Sequence, residues 1–134
     1  MYLQDQLYRI ITRPEITDIS VGSSYQYKIC LLPESVIYKA HFPEEPITPG
    51  ACLVCIVKEI TECLTKRSLQ ISSIRNLKFL IPVKPVSSIE TEAELRNSYT
   101  VSIKITEIDD QSVKIQGTIS NSDTTFCKLT LQLV

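Results

Sequence analysis

The chain has a single histidine, His41, in 134 residues. Imidazole chemistry therefore has one candidate. An excess of either charge is also missing: 14 basic residues face 15 acidic ones, for a net charge of −1. That balance excludes a nucleic-acid-binding domain held by bulk electrostatics. No apolar run reaches helix-spanning length, so no membrane helix is expected. The segment Met1–Gln6 lacks both a basic patch and a long apolar stretch, so no signal peptide is expected. Internal repeats, low-complexity tracts and linkers are absent, and the length suits one domain over residues 1–134.

Cysteine is present but unpatterned. Cys30, Cys52, Cys55, Cys63 and Cys127 are odd in number and irregularly spaced. Cys52 and Cys55 make a C-x-x-C, yet no second pair follows and His41 lies eleven residues upstream. A zinc site needs about four ligands, so no metal and no cofactor is expected. Buried, reduced thiols and a cytoplasmic protein are the expectation.

The densest pattern is His41-Phe42-Pro43-Glu44-Glu45-Pro46-Ile47-Thr48-Pro49-Gly50. Its prolines stiffen the backbone by fixing φ near −65°. Beyond Gly50, the residues Leu53, Ile56, Val57, Ile60 and Leu64 recur at helical steps, predicting an amphipathic helix over about 50–66. A rigid turn holding one imidazole beside a helix N-terminus suits acid–base chemistry on a carbonyl compound.

Elsewhere the periods predict a short helix over Leu3–Ile11 and a strand over Tyr25–Leu31. After the long helix, strands are expected at Ser72–Leu80, Ser88–Arg96, Ser98–Ile108, Val113–Ser120 and Thr125–Val134. An antiparallel sheet with a helix on one face fits this order, an α+β class.

The histidine motif resembles the signature of the (3R)-hydroxyacyl-acyl-carrier-protein dehydratases of fatty acid synthesis, the FabZ/FabA type. Asn76-Leu77-Lys78-Phe79-Leu80-Ile81-Pro82-Val83 resembles their second signature, and Val36–Ala40 their approach to the histidine. The resemblance covers about residues 15–134. It implies the hotdog fold, a long central helix wrapped by a curved antiparallel sheet. It implies His41 as the base that removes the C2 proton of an acyl thioester. The Gly50 amide would polarise the thioester carbonyl, the Ile47 carbonyl would hold the imidazole, and Phe42 and Pro49 would border the substrate.

The resemblance breaks at one position. The family places a Glu or Asp on the helix fourteen residues after the histidine, reaching the site across a dimer interface. Here that residue is Cys55. A thiol with an ordinary pKa near about 8.5 is a weak proton donor. Glu59, one turn further along the helix, and Glu44, in the turn, are the candidate substitutes, weighed against a solvated or interface-capping charge for Glu59 and a surface turn residue for Glu44. Glu44 also stands where glycine is usual, and Ala51 where a bulkier apolar residue is usual.

Three functions follow from the resemblance. The first is dehydration of 3-hydroxyacyl thioesters carried on acyl carrier protein or coenzyme A. The second is a non-catalytic acyl-thioester-binding subunit, paired as a heterodimer with a catalytic homologue. The third is thioester hydrolysis, which needs a carboxylate to activate water. A homodimer or higher homo-oligomer is expected from the shared site, with no nucleic-acid or membrane partner.

Overall fold

Alternating apolar residues and one amphipathic helix settle the architecture. The computed structural model describes residues 2–16, 18–40, 44–85 and 98–134. Within them the chain runs β1 (Tyr8–Thr12), β2 (Ser24–Leu31), α1 (Val36–Ala40), α2 (Gly50–Thr65), β3 (Ile71–Phe79), β4 (Ser98–Ile108), β5 (Val113–Ser120) and β6 (Thr125–Leu133). The strands form one sheet in the order β1-β2-β4-β5-β6-β3. Every neighbouring pair is antiparallel.

The period of two decides which side faces inward. In β5, Val113, Ile115 and Ile119 are buried while Gln116 is exposed. In β6, Leu129, Leu131 and Leu133 are buried while Lys128 is exposed. Register keeps the apolar sets together, with Ile105 opposite Ile115 and Ile115 opposite Leu131. Helix α2 lies on this inner face, and its stripe of Leu53, Ile56, Val57, Ile60 and Leu64 is wholly buried. Gly117 makes the close approach possible: a methyl there would meet Val57 Cγ1 at 2.7 Å. The result is the α+β hotdog arrangement.

The expected strands at 72–80, 98–108, 113–120 and 125–134 are found within a residue or two. The strand expected at Ser88–Arg96 lies outside the described residues. The helix expected over Leu3–Ile11 is not formed. One turn closes, with Leu7 N–H bonded to Leu3 O at 2.7 Å and Asp5 at φ 66°. The chain then extends as β1, pairing Tyr8 with Leu31. The spacing of Leu3, Leu7 and Ile10 was compatible with a helix, but the run Tyr-Arg-Ile-Ile-Thr favours a strand and an edge of β2 was open to it. The thiols also differ from expectation. Cys30 and Cys127 are buried, whereas Cys52, Cys55 and Cys63 on α2 are half-buried.

Among the described residues, one sheet edge is apolar and pairs on one side only. β3 carries a register shift between Arg75 and Lys78, with Asn76 at φ 54°. Ile74, Leu77 and Phe79 on this strand, and Leu80 and Ile81 just beyond it, are all exposed large apolar side chains.

Candidate active site

Pro49 ends the turn and starts α2. Its extended backbone, φ −56° and ψ 142°, sits at the N-cap, and no side chain caps the helix. The Cys52 and Leu53 N–H groups close on the Pro49 carbonyl at 2.9 and 3.2 Å. The Gly50 N–H precedes these bonds, at the partly positive end of a 16-residue helix whose first turn holds no acidic side chain. Such an amide is suited to an oxygen that gains negative charge.

Beside it lies an apolar cleft of about 280 Å³, lined by Ile47, Gly50, Leu53, Phe79, Ile81 and Pro82 among others. The Phe79 ring packs directly over Gly50. A methyl at position 50 would meet its Cζ at 2.6 Å and Cε2 at 2.8 Å, so any larger residue there would push the exposed Phe79 ring off the helix start. The likeness of the Lys78-Phe79 stretch to a family signature marked this strand, but nothing in the sequence spacing placed its ring on Gly50.

Hydrogen bonds fix the turn from both ends. The Tyr38 hydroxyl and Thr48 Oγ1 share a buried bond of 2.8 Å, joining α1 to the residues just ahead of α2. Burial pushes the Tyr38 phenol pKa well above its ordinary value, so the group stays protonated. Thr48 N–H donates to Val83 O at 2.8 Å, and the Tyr99 hydroxyl donates to Lys84 O at 3.0 Å. Lys84 also pairs with Glu45, which holds that exposed carboxyl below its ordinary pKa. Sequence reasoning singled out Glu44, but the ion pair falls to its neighbour, and Glu44 is exposed. His41 and Phe42 lie outside the described residues.

Cys55 does not line the Gly50 cleft. It shares one face of α2 with Cys52 and Glu59. Burial, and then the nearby Glu59 carboxylate, push its thiol pKa above the ordinary value, while Lys58 opposes the shift. A neutral thiol therefore occupies this position at pH 7.

Glu59 is engaged elsewhere. It is only 5% exposed. Its oxygens accept bonds from Leu3 N–H at 2.9 and 3.0 Å, Gln4 N–H at 2.9 Å and the Tyr8 hydroxyl at 3.0 Å. The carboxylate pins the N-terminal turn to α2, and its acceptor sites are filled by the chain itself. This differs from the solvated charge that was the plain expectation for Glu59. The helical spacing could place Glu59 on a face but could not show that residues 3–8 return to it. Glu62, one turn nearly on, accepts from Leu69 N–H at 2.9 Å and lies 3.5 Å from Lys58 Nζ.

Comparison with known proteins agrees with this geometry. A family model described as ApeI-like, ApeI dehydratase, matches residues 18–118. No curated protein matches the sequence at a significant level. Among solved structures, a protein of Erwinia carotovora subsp. atroseptica superposes with a TM-score of 0.66 at 19% identity, over 96% of both chains. A chain of the dehydratase heterocomplex ApeI:P from Xenorhabdus doucetiae gives 0.61 at 19% identity, over 92% of this chain and 98% of that one. A mutant thioesterase from Pseudomonas aeruginosa gives 0.60 at 14% identity, over 96% and 81%. At these identities the structures speak for the hotdog fold, and the family match covers most of the chain: this protein belongs to the ApeI-like dehydratase family of hotdog proteins.

Proposed function

We propose that this chain is a single hotdog domain that takes 3-hydroxyacyl thioesters, borne on acyl carrier protein or coenzyme A, and abstracts their C2 proton. His41 is the base. The Gly50 N–H polarises the thioester carbonyl, the Ile47 carbonyl orients the imidazole, and Phe42 and Pro49 border the substrate. The single observation that carries this reading is the N-terminus of α2 at Gly50, which no side chain caps, beside an apolar cleft. Negative charge grows on the thioester oxygen as the C2 proton leaves, and a fixed amide at a helix N-terminus stabilises it.

The second half of the reaction needs an acid for the departing hydroxyl. In this reading Cys55 holds that place, and a neutral thiol donates poorly. Native turnover is therefore low. Cys55→Glu is expected to raise hydration of trans-2-enoyl thioesters, followed by mass, by about 10-fold or more. Melting must show that the new carboxylate has not cost the fold. A folded variant with no gain across several chain lengths would favour a binding subunit over a weak enzyme. Hydrolysis is the less favoured reading, because the carboxylate of Glu59 is already taken by Leu3, Gln4 and Tyr8.

Assembly follows from the apolar edge of β3. Among the described residues β3 pairs only with β6, and its exposed Ile74, Leu77 and Phe79 favour a second hotdog chain, as a homodimer, a higher oligomer or a heterodimer with a catalytic homologue. Such a partner could supply the acid that Cys55 does not. Sedimentation of the pure protein at micromolar concentration should give at least a dimer, and a monomer there would contradict a site shared between copies of this chain. No helix among the described residues is long and apolar enough to cross a membrane, and we place the protein in the cytoplasm, with no cofactor.

A further inference from the structure

A second cavity lies away from Gly50. It holds about 530 Å³ and opens at the other end of α2, lined by residues of the helix C-terminus, by Tyr27 of β2 and by Arg13, Pro14, Ile16, Asp18 and Ile19. The helix is 16 residues long, so the two sites are separated by about 24 Å. Its apolar lining comes from Ile16, Ile19, Leu64 and Ile108, among others. The rim carries Arg13, Lys66 and Arg67 against a single acid, Asp18.

Tyr27 also lines this cavity, and it is what marks the place as a site. The residue is 3% exposed, yet its hydroxyl makes no hydrogen bond with any described residue. The ring is buried, but the hydroxyl is not sealed from solvent: the fully buried side-chain oxygen without a hydrogen-bond partner among the described residues is Glu62 Oε1. Here the cavity is what the hydroxyl has left to face. Burial raises the pKa of the phenol, the Cys63 thiol raises it further, and Arg13 lowers it. Tyr27, Arg13 and Cys63 line the same cavity. A phenol hydroxyl and a guanidinium in a pocket of mixed polar and apolar walls form a pairing for an anionic head with an apolar tail.

We propose that this cavity is a second ligand site, which binds an amphipathic carboxylate with its head between Tyr27 and Arg13 and its tail over Ile16, Ile19, Leu64 and Ile108. Lys66 and Arg67 offset the partial negative charge of the α2 C-terminus, which would otherwise repel the head. The volume lies within the range of small-molecule pockets. The inference does not depend on chemistry at Gly50, because no residue is common to the two clefts.

The test uses octanoate, and octanol as its neutral counterpart, on the intact protein. Octanoate should bind saturably and slow maleimide alkylation of Cys63, mapped by peptide mass, while Cys52 and Cys55 react as before. Octanol should bind about 10-fold more weakly, and Tyr27→Phe, which keeps the ring, should weaken octanoate by about the same factor. Arg13→Ala should weaken octanoate but leave octanol unchanged. Equal binding of octanoate and octanol would overturn the proposal, as would indifference to Tyr27→Phe. Protection of Cys52 or Cys55 in place of Cys63 would overturn it too, by placing the acid elsewhere.

Discussion

His41→Ala should lower C2-proton chemistry by about 10²- to 10⁴-fold while leaving the fold intact. The sequence offers no second imidazole, and few other side chains accept a proton near neutral pH. The candidate acids along the same stretch are poor replacements. Glu44 is exposed in the turn, and Glu59 is saturated by donors from residues 3, 4 and 8. The variant is best measured in a Cys55→Glu background, where turnover is large enough to lose. Turnover persisting at the parent rate would remove His41 from the mechanism.

Glu59→Ala should destabilise the fold about as much as truncating a core residue of α2. It deletes the acceptor of Leu3 N–H, Gln4 N–H and the Tyr8 hydroxyl, of which Tyr8 is fully buried. Unsatisfied buried donors cost about 1–3 kcal/mol each, and partial escape of the N-terminal turn to water relieves some of that. A net loss of about 3 kcal/mol is expected. For a chain of this size that lowers the melting temperature by about 10 °C. Glu59→Gln keeps the shape but turns one acceptor into a donor facing Leu3 N–H, so it should fall between wild type and Ala. The pair also separates two roles. A structural anchor loses melting temperature in both variants, whereas a catalytic acid would lose turnover in Glu59→Gln at unchanged stability.

Much of the fold was legible in the sequence because its signals are local. The period of two in Val101, Ile103 and Ile105, and the 3- and 4-residue steps from Leu53 to Leu64, each bury one face, and each element formed where its pattern stood. The N-terminal error has the same origin. Leu3, Leu7 and Ile10 fit a helix locally, but pairing of Tyr8 with Leu31 is a contact across 23 positions that spacing does not contain. The site divides in the same way. Pro49-Gly50 announced a helix start, and the helix starts there. The contacts that finish the site are long-range: Tyr38 to Thr48, Thr48 to Val83, and the Phe79 ring on Gly50. The role of Glu59 was hidden for the same reason, since its partners lie more than fifty positions away.

The central claim is that a base and an oxyanion donor remain while the acid is replaced by a thiol. Hydrogen–deuterium exchange separates these halves of the reaction. Wild-type protein is incubated in D₂O with a 3-hydroxyacyl thioester, and deuterium at C2 is followed by mass alongside loss of water. Uptake of deuterium at C2 well ahead of elimination, abolished by His41→Ala, is the predicted result. No uptake above the buffer rate would contradict the claim.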